Sequence, residues 1–131
     1  MSVRLGVSLS FLMLVAGCSF DYELQAVERS GRIAFEPKDD QGTGCLWDFT
    51  VTSETGEVVW RLDGGTYRPP PCDNKLPILY GVVPAGMTEL VHALPLRAGV
   101  LYRIEGLDGD HYHGAFRFKQ AIIVENLGEQ R

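Results

Sequence analysis

The amino-acid sequence predicts an all-β domain, built as a single antiparallel β-sandwich of about seven strands. Apolar and polar residues alternate over stretches of five to eight residues, which is the period of a strand with one buried face. Gly, Pro, Asn and Asp separate these stretches, as expected for turns between strands. No stretch shows a sustained helical repeat with capping residues at its ends.

Seven segments carry this alternation, and residues 45–52 show it most clearly. Cys45, Trp47, Phe49 and Val51 point to one face of this segment, and mostly polar residues point to the other. The predicted strands cover residues 32–36, 45–52, 58–62, 76–83, 88–94, 100–105 and 112–119. About seven short strands with regular turn signals favour a sandwich.

The amino-terminal segment predicts a cleaved signal helix over residues 1–17. Arg4 supplies a positive charge, and the following residues 5–15 form an apolar run of about eleven residues. A helix that spans a bilayer needs about 20 such residues, so this run is too short for a membrane span and has the length of a signal h-region.

The signal ends in Val15-Ala16-Gly17-Cys18, which resembles the bacterial lipobox. The resemblance implies that the Cys18 thiol carries a diacylglycerol, that a peptidase cuts before it, and that the new amino group is acylated. Two or three acyl chains hold a protein on a membrane, since each buried methylene contributes about 0.8 kcal/mol. The resemblance to envelope lipoproteins of two-membrane bacteria implies, from Ser19 after the cysteine, transport to the outer membrane, on its periplasmic face. In a single-membrane host the protein would instead be displayed on the outside of the cell. The alternative is a free or disulfide-bonded Cys18.

The predicted domain organisation has four parts. Residues 1–17 are the signal peptide, residues 18–30 the lipidated cysteine and a flexible tether, residues 31–126 the β-sandwich and residues 127–131 a C-terminal tail. Removal of the first 17 of 131 residues leaves 114, which is enough for one domain with its own core.

The charge balance restricts the expected partners. Loss of Arg4 with the signal leaves 11 of the 12 Lys and Arg residues against 17 Asp and Glu, a formal net charge of −6. Such a balance argues against nucleic acid and against a polybasic hold on anionic lipid. The expected partners are therefore the membrane, reached through the lipid on Cys18, and a protein of the cell envelope.

Cys45 and Cys72 predict a disulfide bond. An even pair of cysteines in an exported chain meets an oxidising compartment. A bridge over this loop length contributes about 3 kcal/mol in the chain-entropy account. The pair lacks the C-x-x-C spacing of redox and zinc sites, which argues for a structural role.

Leu96, Gly99 and Tyr102 stand at the spacing L-x-x-G-x-x-Y, which resembles the tyrosine corner of Greek-key sandwiches, immunoglobulin-like and fibronectin-like domains among them. The resemblance implies a Greek-key fold in which the buried Tyr102 hydroxyl hydrogen-bonds the backbone a few residues upstream. No cysteine follows Tyr102, which favours a generic sandwich over a true immunoglobulin domain.

The run "LDGDHYH" is the one cluster with metal-ligand chemistry, because carboxylate and imidazole suit zinc, nickel or copper. Its candidate ligands are Asp108, Asp110, His111 and His113, with His92 and Glu105 as conceivable additions. Asp108-Gly109 is also typical of an ordinary hairpin turn, so we predict a polar turn without a metal here. No cofactor is expected.

The loop "YRPPPCDN" offers a second candidate site, for a protein partner. Three prolines stiffen it, and Tyr67 and Arg68 are of the types that dominate binding hot spots. The chain has no G-x-S-x-G, H-E-x-x-H or P-loop motif, so an enzyme is not expected. The predicted function is a membrane-anchored periplasmic lipoprotein that binds or scaffolds. A metal-dependent enzyme or metal-binding protein, and a small-ligand carrier, are the alternatives.

Overall fold

The computed structural model describes residues 21–39, 44–66, 69–120 and 123–127. Within these ranges the chain is all-β, with nine strands and no helix. No helix in this part of the chain is long and apolar enough to cross a bilayer. The predicted all-β class is therefore confirmed.

Seven of the nine strands correspond to predicted segments. The strands are β1 (Asp21–Arg29), β2 (Arg32–Pro37), β3 (Asp48–Ser53), β4 (Val58–Asp63), β5 (Ile78–Leu79), β6 (Thr88–Val91), β7 (Leu101–Leu107), β8 (His111–Gln120) and β9 (Ile123–Leu127). The strand predicted over residues 76–83 shrinks to the two residues of β5. A turn follows it at once, in which the Val82 N–H donates to the Leu79 carbonyl at 3.1 Å and Gly81 has a positive φ of 81°.

The strands form one curled, mixed sheet in the order β5-β2-β1-β8-β7-β3-β4-β6, with β9 paired to β8 beside this path. All neighbours are antiparallel except β1 and β8, which run parallel over Asp21 to Glu23 opposite His111 to His113. The expectation of a purely antiparallel Greek-key sandwich does not hold at this pair, because β1 and β8 run in the same direction.

Residues 21–29, expected to belong to a flexible tether, form the nine-residue strand β1. Leu24 and Ala26 are only 2% and 1% exposed and belong to the core. After its three residues beside β8, the strand pairs with β2, from Leu24 opposite Pro37 onwards. A Cβ at Gly114 of β8 would clash with the Leu24 carbonyl oxygen, so glycine permits this close approach.

The carboxamide of Asn126 in β9 closes the gap between β1 and β9. Its Oδ1 accepts from the Ala26 N–H at 2.7 Å, and its Nδ2 donates to the Ala26 carbonyl at 2.8 Å. The side chain thus supplies both bonds that a neighbouring strand would supply to Ala26, where β1 has turned towards β2.

Aromatic rings fill the space inside the curl. Phe35 of β2 lies 5.6 Å from Phe49 and 5.5 Å from Phe116, measured between ring centroids. Trp60 of β4 lies 5.2 Å from Tyr80, just after β5. Strands from the two edges of the sheet therefore meet across one core. Burial of each large side chain contributes about 1.5–3 kcal/mol to the stability of the fold.

The sheet has two ends. We call the amino-terminal pole the end at which β1 begins at Asp21, β7 ends at Leu107 and β8 begins at His111; cross-strand pairing places these three residues together. The opposite pole carries the turn at residues 54–57 and the loop at residues 94–100.

Candidate functional site

Cys45 and Cys72 are joined by the predicted disulfide, with 6.0 Å between their Cα atoms. Hydrogen bonds reinforce the connection next to it. The Leu46 N–H donates to the Asn74 carbonyl, and Asn74 Nδ2 donates to the Leu46 carbonyl, both at 2.7 Å. The bridge fastens the proline-rich loop to the segment before β3, at the amino-terminal pole.

Three predicted functional residues lie outside the described residues. They are the lipidation site Cys18 and the partner-binding candidates Tyr67 and Arg68. The signal peptide of residues 1–17 lies outside them as well.

Both oxygens of the Asp108 carboxylate accept hydrogen bonds from residues of the same turn and of the strand that follows it. Asp108 is only 8% exposed; its Oδ1 accepts from the Asp110 N–H at 3.0 Å, and its Oδ2 accepts from the Tyr112 hydroxyl at 2.9 Å. Burial, together with the hydrogen bond to Asp108, raises the pKa of Tyr112. A Cβ at Gly44 would meet Asp108 Oδ2 at 2.5 Å, so a neighbouring segment closes over the carboxylate.

The two histidines of the same run lie close to each other, and His111 has one carboxylate beside it. The rings of His111 and His113 stack with centroids 5.4 Å apart, and His111 Nδ1 lies 3.3 Å from Asp21 Oδ1. Among the described residues, no group of three or more His, Cys, Asp or Glu side chains is placed to hold a metal ion. The structure describes the run as a polar turn followed by a strand.

His92, the more distant candidate ligand, belongs to a different group. Its Nδ1 contacts Glu89 Oε1 at 2.5 Å, and Glu89 Oε2 accepts from the indole N–H of the buried Trp60 at 2.9 Å. The hydrogen bond from His92, followed by that from Trp60, lowers the pKa of Glu89. Glu89, on the edge strand β6, therefore accepts the hydrogen bond of a buried indole on β4.

The predicted tyrosine-corner hydrogen bond is present at the opposite pole. The Tyr102 hydroxyl accepts from the Arg97 N–H at 2.8 Å, and Tyr102 is 2% exposed. Gly99 has a φ of 80°, which a residue with a Cβ rarely adopts, and its carbonyl accepts from Arg117 Nη1 at 2.8 Å. Leu96 packs against the core.

A cleft of about 270 Å³ opens beside this corner. It lies between the β3–β4 turn and the loop at residues 94–100, so two segments some forty residues apart in sequence form it. Its floor is apolar, made by the buried Val59, the half-buried Val100 and the ring of Tyr102.

The rim of the cleft carries charges of both signs. Glu54 and Glu57 stand on the turn, and Arg97 stands on the facing loop, all exposed. Within the described part of the chain, these three side chains make no hydrogen bond or ion pair. Leu94, 39% exposed, adds an apolar side chain to the rim.

Sequence reasoning missed this cleft, because the pattern of each segment shows only a turn or a loop. Comparisons of the chain with protein-family models, with curated proteins and with solved structures find no match. The function is therefore inferred from the chemistry of the cleft and of the amino-terminal motif.

Proposed function

We propose that the protein is a bacterial envelope lipoprotein, held on the periplasmic face of the outer membrane by acyl chains on Cys18, and that its β domain binds a protein partner at the cleft. The lipobox-like Val15-Ala16-Gly17-Cys18 supports the anchor. The Cys45–Cys72 disulfide suits an exported domain. The packing of Phe35 against other strands across the core supports a sandwich-like domain.

One observation carries the binding role: the cleft combines an apolar floor with charged rim side chains that have no partner among the described residues. Exposed charges beside a concave apolar surface match the pattern of a binding site, in which an apolar anchor gives affinity and surrounding charges give specificity. Glu54 and Glu57 would face a basic group of the partner, and Arg97 would face an acidic one.

The cleft has room for one side chain of a protein partner. Its volume of about 270 Å³ lies just below the range of roughly 300–1,000 Å³ that is typical of small-molecule sites. A single apolar side chain of a partner, flanked by charged neighbours, fits this space and this rim.

Crosslinking in intact cells tests the cleft. A photoreactive residue at Arg97 is expected to capture a partner, whereas the same residue at Arg103, exposed on the middle of β7, serves as the matched control. Capture from position 97 should disappear when Glu54 and Glu57 are both changed to Lys, because the rim then repels the partner's basic group. Equal capture at both positions, or capture that the charge reversal leaves intact, would contradict the proposal.

The anchor has its own test. Cells treated with globomycin should accumulate the uncleaved precursor, and a Cys18→Ser variant should leave the membrane fraction. A variant that stays quantitatively in that fraction would show that the anchor is assigned to the wrong residue.

Metal analysis tests the rival class, a metal-dependent enzyme. Protein purified without a His-tag is expected to contain no stoichiometric zinc or copper. Metal at one ion per chain that is lost in a His111→Ala, His113→Ala double variant would overturn the binding role in favour of metal chemistry.

A further inference from the structure

Only three residue steps separate the proposed lipid site from the folded domain. Cys18 is followed by Ser19 and Phe20, and β1 begins at Asp21. An extended chain reaches at most about 3.3–3.6 Å per residue, so these three steps span no more than about 10 Å. The expected tether of some ten residues is thus reduced to a short link, because most of it is a strand.

We propose that the lipidated protein stands on the bilayer on its amino-terminal pole, with the turn at residues 108–110 beside the lipid headgroups and the cleft facing away from the membrane. This orientation rests on the proposed lipidation of Cys18. The partner of the amino-terminal pole is the lipid surface, and the partner of the cleft approaches from the side of the periplasm.

The start of β1 is held firmly enough to keep the link short. Residues 21–23 pair with β8, the Tyr22 ring stacks on Tyr112 with centroids 5.3 Å apart, and the Lys38 N–H donates to the Glu23 carbonyl at 2.9 Å. Fraying of the strand would lengthen the tether only by breaking these contacts. The acyl chains therefore act on a fixed point of the pole.

The two poles differ clearly in height above the membrane. Strand β7 runs from Leu107 at the amino-terminal pole to Leu101 at the opposite pole. Its seven residues span about 20 Å at roughly 3.3 Å per residue. When the bilayer lies within about 10 Å of Asp21, the cleft lies some 20 Å further from the bilayer than Asp21 does.

The amino-terminal pole is acidic, which is compatible with attachment through acyl chains and argues against attachment by attraction to anionic headgroups. Lys38 pairs with one of its carboxylates and Arg61 with another. Among the described residues of β1, β3, β4 and the β7–β8 turn, the acidic ones at this pole are Asp21, Glu23, Asp48, Asp63, Asp108 and Asp110. Anionic headgroups would repel this surface over a Debye length of about 8 Å, so the acyl chains must supply the attachment.

Fluorescence quenching in proteoliposomes tests the orientation. A thiol-reactive fluorophore is placed at Leu107→Cys or at Ala98→Cys, both exposed positions, one at each pole. The lipidated full chain is reconstituted in phosphatidylcholine vesicles that carry a nitroxide on the headgroup. Quenching is expected to be several-fold stronger at position 107 than at position 98; equal or reversed quenching overturns the proposal. Asp110→Cys provides a second proximal site if the Leu107 variant does not fold.

A longer link is the matched control. Insertion of 15 Gly and Ser residues between Ser19 and Phe20 gives a mean reach of about 20 Å, which should largely abolish the difference between the two positions. A difference that survives this insertion would show that the short link does not set the orientation. Failure of lipidation is recognised separately, by an unmodified mass and by protein that does not float with the vesicles, and it would overturn both proposals.

Discussion

Replacement of Tyr102 by Phe removes one hydroxyl group and leaves the ring that lines the cleft. The hydroxyl accepts the Arg97 N–H at 2.8 Å, and the residue is almost fully buried. Phenylalanine keeps the apolar area in the core, so the hydrophobic contribution is unchanged. The variant therefore isolates the hydrogen bond that closes the loop before β7.

The size of the effect follows from the donor that is left behind. A partly buried backbone N–H without an acceptor costs about 1–3 kcal/mol, against a total stability of about 5–15 kcal/mol. For a domain of this size, each kcal/mol shifts the melting temperature by about 4 °C, so Tyr102→Phe should lower it by about 4–12 °C.

Tyr80→Phe is the matched control. The Tyr80 hydroxyl donates to the Leu94 carbonyl at 2.5 Å, but this bond is exposed, whereas the bond between Arg97 and Tyr102 is partly buried, so water can replace the Tyr80 hydroxyl. Its loss should cost only about 0.5–1.5 kcal/mol. Urea unfolding followed by tryptophan fluorescence measures both variants. A free energy of unfolding for Tyr102→Phe within about 0.5 kcal/mol of that of the unmodified protein, or a larger loss in Tyr80→Phe, would contradict this role of the Tyr102 hydroxyl.

Two further predictions concern buried hydrogen bonds. Tyr112→Phe leaves one oxygen of Asp108 unpaired and should cost about 1–3 kcal/mol at pH 7. The folded state raises the pKa of Tyr112 above its usual 10.0, so the contribution of this phenol to stability is complete below pH 10 and is lost at higher pH. Urea unfolding should therefore show that the difference in unfolding free energy between the unmodified protein and the variant narrows above pH 10. A difference that stays constant with pH would contradict this. Glu89→Ala should destabilise the domain by removing the acceptor of the Trp60 indole N–H, whereas Glu89→Gln keeps an acceptor; equal losses of melting temperature in the two variants would contradict this.

The sequence pattern locates seven of the nine strands, overestimates the length of β5 and misses β1 and β9. Alternation was sufficient for β3, β4, β7 and β8, where a buried face repeats every second residue. β5 was overestimated, because apolar residues also continue into the turn after it. β1 is absent from the predicted strands although Tyr22, Leu24 and Ala26 alternate in burial, because the lipobox-like motif predicts a tether over residues 18–30.

Local chemistry was predictable from sequence, and tertiary juxtaposition was not. The Cys45–Cys72 bridge is predictable from residue type, because the two cysteines form a pair in an exported chain. The Tyr102 hydrogen bond is predictable from a short motif, because donor and acceptor lie five residues apart. The cleft depends on the approach of Glu54 and Arg97 from different parts of the chain. No periodicity reports which loops meet at one end of a sheet, so such a site can be found only in the folded structure.

Strand β1 makes the proposed anchor and the fold interdependent. The strand that begins three residues after Cys18 also places Leu24 and Ala26 in the core. Its course from β8 to β2 requires the absence of a side chain at Gly114, and Asn126 fastens its backbone beyond that point. A Gly114→Ala change would push β1 away from β8, and the link to the membrane would then grow by every residue that detaches. The proposed orientation of the cleft therefore depends on how tightly β1 is packed, and destabilising β1 should loosen that orientation before the rest of the domain unfolds.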